Sequence, residues 1–256
     1  MLEIFGEHTL STAEMAGLLV LSIALLAGYG IHGSGLPFPL LKLKLFGIRT
    51  FRAAVSGSFF TRLGIGGVPF LLLYQVGLGF TPIQSGLLVM PQAIASMSMK
   101  AVMPRILRRI GYRGVLISNT LILGVLLMVF ATIGLRTPVW AIVLEAFLYG
   151  AFTSLQYTSM NTLVFADIAE KDASGASSIA STAQQMSISF GVAAAGLATA
   201  FFIPSTHSDP TEMIHGIHKA LIALGILTIF SAIVFRSLKS GDGDDVSLHK
   251  VLHPGG

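Results

Sequence analysis

Seven apolar stretches, each long enough to cross a lipid bilayer as an α-helix, constrain this chain more than any other feature. They run approximately over Ala13–Ile31, Ala53–Val76, Pro82–Met103, Val115–Leu135, Val139–Phe165, Ala176–Ile203 and Ile217–Phe235. A hydrocarbon core ~30 Å thick takes about 20 residues of helix. Only a helix or a closed barrel satisfies its own backbone hydrogen bonds there. Charged residues are 11% of the chain and apolar ones 53%. Soluble domains carry roughly 25% charged residues, so this chain could not cover a water-facing surface. The fold class expected is all-α, a polytopic membrane helix bundle with seven transmembrane helices.

Most of the Lys and Arg residues lie between the apolar stretches. Lys42, Lys44, Arg49 and Arg52 follow the first, and Arg105, Arg108, Arg109 and Arg113 follow the third. Lys171 follows the fifth, and Arg236, Lys239 and Lys250 follow the seventh. The opposite side offers only Arg136 and Lys219, the latter at the start of the seventh stretch. Basic loops stay cytoplasmic, so this alternation places the N-terminus outside and the C-terminus in the cytoplasm of a cell (inner) membrane protein. Glu3, Glu7 and Glu14 before the first stretch argue against a signal peptide, which needs a basic flank.

Other classes are poorly supported. The net charge is +4, but no basic helix interleaved with aromatics offers a nucleic-acid surface. There is no cysteine, hence no disulfide, thiol nucleophile or cysteine metal site. His249 and His253 stand in a Gly/Asp-rich tail without partners and read as solvated, so no metal or cofactor is expected. His32-Gly-Ser-Gly35 lacks the elbow that a serine nucleophile needs, so no enzyme is expected. No filter motif indicates a channel.

Polar residues recur at helical spacing on four stretches. Ser58 and Arg62 are one turn apart. Gln92, Ser96 and Lys100 follow each other every fourth residue. Glu145, Tyr149, Thr153 and Gln156 share a face, as do Ser178, Thr182, Gln185 and Ser189. Hydroxyls and amides in membranes often serve as hydrogen bonds between helices. A charge is different, because burying it costs several kcal/mol or more and it usually marks a pathway. Arg62 and Glu145 are therefore the foremost candidates for substrate binding or coupling, with Gln92, Lys100, Tyr149, Gln156 and Gln185 beside them. Lys100 has a second reading, a side chain reaching the headgroups. Gly64, Gly66, Gly67 and Pro69 should weaken or kink the second stretch. Residues 115–135 and 217–235 are poor in polar groups and should face lipid.

Three segments resemble the major facilitator superfamily, in its fourteen-helix drug:proton antiporter branch. Pro39–Arg52, PLLKLKLFGIRTFR, is similar to the cytoplasmic linker after the two extra central helices. Arg62–Ala93 is similar to the following helix pair, two residues short near PFLLLYQ. Met103–Leu116, MPRILRRIGYRGVL, resembles the loop motif G-x-L-x-D-R-x-G-R-K. Pro104 stands at the first Gly, Arg108 at the Asp and Gly111 at the second Gly, followed by Arg113. With the Asp lost, no charge relay is implied for this copy.

The resemblance implies residues 1–52 as one extra helix and linker, residues 53–236 as a C-terminal six-helix bundle, and residues 237–256 as a disordered tail. It also implies peripheral places for residues 115–135 and 217–235. The implied activity is secondary transport, efflux of small amphipathic compounds by proton antiport, with the lipid bilayer, a small-molecule substrate and protons as partners. The intact loop motif and antiporter motif of a first half are not in this chain. The resemblance thus implies an incomplete chain that needs the missing N-terminal half. The alternative is a non-transporting remnant or half of a split transporter.

Overall fold

The computed structural model describes residues 43–66, 81–134, 137–202 and 210–244. The chain divides into residues 1–42 and 43–256, and everything described lies in the second unit. The expected stretch Ala13–Ile31 and the later part of Ala53–Val76 lie outside the described residues.

The described residues of this unit form five α-helices: α1 Arg49–Ile65, α2 Pro82–Phe130, α3 Val139–Leu163, α4 Ala173–Phe202 and α5 Pro210–Phe235. Short 3-10 turns, Leu43–Gly47 and Glu170–Asp172, precede α1 and α4. No strand occurs among the described residues. α1 stops at Ile65, where the glycines begin. α2 opens on a capping box: Gln84 N donates to Thr81 Oγ1 at 3.3 Å, and Thr81 N donates to Gln84 Oε1 at 2.9 Å.

Three helical segments among the described residues are long and apolar enough to cross a membrane, Gly86–Phe130, Val139–Leu163 and Ile214–Phe235. At 1.5 Å per residue, the 49 residues of α2 would reach ~74 Å as a straight rod, more than twice a bilayer core. Gly111 resolves the mismatch. Its φ of 72° and ψ of 165° break the helix into arms of residues 82–110 and 112–130. The composition of residues 104–114 predicts an open loop. The chain is instead helical up to the glycine, with Arg105, Arg108 and Arg109 exposed along that extension. Arg108 Nε donates to Pro104 O one turn back, at 3.3 Å.

α3 packs against both arms. Ser96 Oγ donates to Gly150 O at 3.0 Å and Ser154 Oγ to Ser96 O at 2.8 Å, binding the first arm. Asn119 Nδ2 donates to Gln156 Oε1 and Gln156 Nε2 to Thr120 Oγ1, both at 2.8 Å, binding the second. α5 lies against the second arm, where Gly124 and Gly225 face each other, and against α1, where Thr61 and Ser231 hydroxyls meet at 3.1 Å. α4 packs on α1 and α5. Ile65, Leu127, Phe130, Tyr149 and Leu221 fill the centre.

Residues 115–134 and 217–235, expected to face lipid, each have one exposed apolar face. Leu121, Val125 and Val129 are exposed on α2, and Ile222, Phe230 and Ile233 on α5. The opposite faces are buried and bonded: Asn119 and Thr120 tie to α3, and Ser231 ties to α1. A peripheral helix still needs one face that recognises its neighbours, and in lipid polar contacts supply it. Exposed Trp140, Phe201 and Phe230 would be costly in water and are at home in hydrocarbon. The chain is a multi-pass membrane protein.

The connections after the first arm, after α3 and after α5 meet at one end of the bundle, the start of α1. Arg49 donates from Nε to Asp242 Oδ2 at 2.8 Å and from Nη2 to Asp242 Oδ1. Thr50 Oγ1 donates to Asp167 Oδ2 at 2.8 Å. Tyr112 OH donates to Thr162 Oγ1 at 3.0 Å. Residues 237–244 thus depart from the disorder expected of the tail. Leu238 and Asp242 are buried, and Gly243 adopts φ 80° against the Tyr112 ring.

Burial alone would push the Asp242 carboxyl up. The Arg49 hydrogen bond, the Lys239 backbone N–H and the nearby positive charges outweigh it and hold the group below its ordinary value of 3.8. A carboxyl depressed in the folded state stabilises the fold fully above that ordinary value and loses the contribution as pH falls through its folded value. We expect backbone hydrogen exchange over 236–244 to rise as pH drops below about 4, after correction for intrinsic exchange rates. Asp242→Asn should show the same opening already at neutral pH. Protection unchanged in both would dismiss the clamp.

Candidate functional site

Arg62 is the deepest cation among the described residues, 5% exposed in the last turn of α1. α1 presents Ser58 one turn earlier, and Arg62 Nε donates to Ser58 Oγ at 2.9 Å. On the facing helix α3, Tyr157 lies under the guanidinium with its ring centroid 3.8 Å from Cζ. Such stacking attracts a cation to the electron-rich ring face, more strongly when water is excluded. The pair therefore retains a charge inside the bundle without a carboxylate. Among the described residues no acidic group bridges to Arg62.

Next to Ser58 is a small cleft of about 10 Å³, room for roughly one water. Ser58, Asn161 and Gln184 contribute its polar lining, and Val55, Met160 and Ala183 part of its apolar wall. It lies where α1, α3 and α4 converge. Asn161 is exposed at its lip and Gln184 is half-buried.

Glu145, the other expected coupling residue, is 8% exposed on α3. Its Oε1 is buried without a hydrogen-bond partner. Twelve residues of helix separate it from Tyr157, about 18 Å along the axis. Arg62 and Glu145 therefore sit at different depths and do not neutralise each other.

The other expected residues divide into two sets. Tyr149 and Gln156 are fully buried and serve packing: Tyr149 OH donates to Ile65 O at 3.3 Å, and Gln156 bridges Asn119 and Thr120. They do not line the cleft. Gln92 packs on Gly150 with its Oε1 buried and unpartnered, and Thr153 Oγ1 is likewise unpartnered. Lys100 and Gln185 are exposed, the latter with Ser178, Thr182 and Ser189 along one outward face of α4. Within the loop motif, Arg108 Nε donates to Pro104 O and Gly111 is the break, with Arg113 half-buried just beyond it.

Tyr157 and Asn161 escaped the sequence reading. Tyr157 was one more aromatic in an apolar run, and its partner is 95 positions away. Counting one turn on from Thr153 would have reached Tyr157 and then Asn161, but the choice of face was drawn through Gln156 instead.

These features invite comparison with known membrane proteins. The chain is 36% identical over 215 residues to the multidrug resistance protein MdtD of Serratia proteamaculans, covering 83% of this chain and 44% of that protein. MdtD of Yersinia enterocolitica is 33% identical over 240 residues, 91% of this chain and 50% of that protein. MdtD of an Escherichia coli O7:K1 strain is 37% identical over 195 residues, 75% and 41% respectively. The chain belongs to the major facilitator superfamily, together with these multidrug resistance proteins. No protein-family profile matches it. The chain spans about half the length of the MdtD proteins it matches. In this major facilitator chain the break at Gly111 falls on the second Gly of the degenerate loop motif.

Proposed function

We propose that the chain works as the C-terminal half of a proton-coupled exporter of small amphipathic compounds in the cell membrane, with its C-terminus in the cytoplasm. Glu145 carries this reading. A buried carboxyl with an unpartnered oxygen and no ion pair among the described residues is costly to keep ionised in a bundle, and therefore suited to exchange a proton with a wet path. Gln92 Oε1 and Thr153 Oγ1, also buried without protein partners, are places for the waters of such a path.

The MdtD name supports the class of cargo. The exposed polar face of α4, with Ser178, Thr182, Gln185 and Ser189, suits a cavity shared with a further six-helix half better than it suits acyl chains. Rocking of the two halves would then expose the cavity alternately to each side.

The test is flux of a fluorescent amphipathic compound in proteoliposomes of the full-length protein, with and without an imposed pH gradient. We expect the gradient to accelerate flux and Glu145→Gln to lower the gradient-driven component by about tenfold or more, as for loss of an essential proton carrier. Flux indifferent to the gradient would remove proton coupling, and unaltered coupling in Glu145→Gln would remove this residue from it.

A further inference from the structure

We infer that the outward face of the first arm of α2 is a binding site for one anionic phospholipid. Arg105 and Arg109 hold its phosphate, and the apolar stripe on the same face lies along its acyl chains. The inference needs the chain to sit in a bilayer and does not depend on the transport reading.

Ile83, Leu87, Met90, Ile94 and Met97 are all exposed on this arm, by 53% to 77%. Their spacing of four, three, four and three residues puts them on one face of a helix. The same steps lead on through Ala101 to Arg105, and then to Arg108 and Arg109, all of them exposed. The backbone stays helical up to Gly111, so the row is not turned aside. One face therefore changes from apolar to cationic along its length. A phospholipid changes from acyl chain to charged head group in the same direction.

The change falls at the depth such a lipid requires. A hydrocarbon core takes about 20 residues of helix, which from Pro82 ends near residue 101. At 1.5 Å per residue, Arg105 and Arg109 stand ~6 and ~12 Å beyond that point, in and just past the head-group layer.

Neither Arg105 nor Arg109 has a hydrogen bond or ion pair among the described residues, whereas Arg49, at the start of α1, is held by Asp242. Arg108 donates from Nε to Pro104 O and adds a third positive charge beside them. Arg105 and Arg109 are one turn apart, where like charges repel. A phosphate between them replaces repulsion with charge-assisted hydrogen bonds, for which the guanidinium fork is well shaped. A free phosphate would use the arginines alone. The exposed Ile94 and Met97, three and two turns back, favour a phosphate that carries acyl chains. A zwitterionic lipid brings its own cation to the arginines, so an anionic one fits better.

The test is native mass spectrometry of the full-length protein in a nonionic detergent, with equal amounts of phosphatidylglycerol and phosphatidylcholine of the same chain length. Wild type should bind one phosphatidylglycerol about tenfold or more tighter than phosphatidylcholine, the scale for two basic side chains at an anionic surface. Arg105→Gln with Arg109→Gln should bring the two lipids near equality, and Arg105→Lys with Arg109→Lys should keep part of the preference. Lys44→Gln with Arg236→Gln removes as many exposed charges off this face and should keep all of it. Inorganic phosphate at matched ionic strength should not displace the lipid. No preference in wild type would overturn the inference, and is the result expected if another protein surface covers this face. Preference retained in a monodisperse Arg105→Gln, Arg109→Gln protein would overturn it too. Equal loss in the Lys44→Gln, Arg236→Gln protein would reduce the effect to diffuse surface charge. Displacement by inorganic phosphate would reduce it to an anion-binding pair with no part for the stripe. Either result would end the lipid site.

Discussion

Gly111→Ala should disable this protein at the level of its architecture. At φ 72° and ψ 165°, Gly111 occupies backbone space that essentially only glycine visits. A side chain there costs about 1–3 kcal/mol in the native geometry. The cheaper response is to continue the helix, since both flanking sequences are already helical. A continued α2 would be too long for one crossing, and its second arm would leave α3 and α5. Asn119 would lose Gln156, and Tyr112 would leave Thr162 and the Gly243 turn. We expect a lower unfolding midpoint in detergent and loss of monodispersity on gel filtration. Retention of both at wild-type level would mean that the break is not required.

Gly191→Ala should be the next most damaging change. α1 and α4 approach at Gly66 and Gly191, backbone to backbone. A Cβ on Gly191 would stand 2.7 Å from Arg62 O and 3.3 Å from Gly66 Cα. A Cβ on Gly66 would stand 2.6–2.7 Å from three backbone atoms of Gly191. No flexible side chain is there to yield, so the helices must separate. Overpacking of this kind costs about 1–3 kcal/mol, and small residues at such crossings are what allow close packing in lipid. Since the contact is with the Arg62 carbonyl, separation also shifts the walls of the cleft. Gly196 is the control. It lies on the same helix with nothing within 4 Å of a Cβ, so Gly196→Ala should leave the unfolding midpoint unchanged or raised. Equal behaviour of the two alanine variants would refute the close-approach argument.

Both expectations rest on residues whose role differs in how far local sequence reveals it. Gly191 could be read as a packing residue, being a small side chain among small ones. At Gly111 the nearby Pro and four Arg read as loop chemistry instead. Arg105, Arg108 and Arg109 are exposed along a helical extension, so only the backbone of one residue needed to break.

The candidate site was half legible. A charge among apolar residues is visible by inspection, which found Arg62 and Glu145. Ser58 was one turn from Arg62 and is bonded to it. Helical periodicity could not tell a polar stripe that binds a neighbouring helix from one that stays open. Gln156 and Tyr149 went to packing, whereas the stripe through Gln185 stayed exposed.

What the sequence determined by itself was the solvent and the element type. Scarce charge makes lipid the only medium that accommodates so much apolar surface, and lipid leaves the backbone no alternative but helix at these lengths. Those are properties of each segment separately. Tertiary structure decided which faces meet. It set Tyr157 beneath Arg62, Asp242 against Arg49 across 193 positions, and Gly66 on Gly191. Such pairings depend on helix order and rotation, which are fixed by the packing of all the helices together and leave no mark on any one of them.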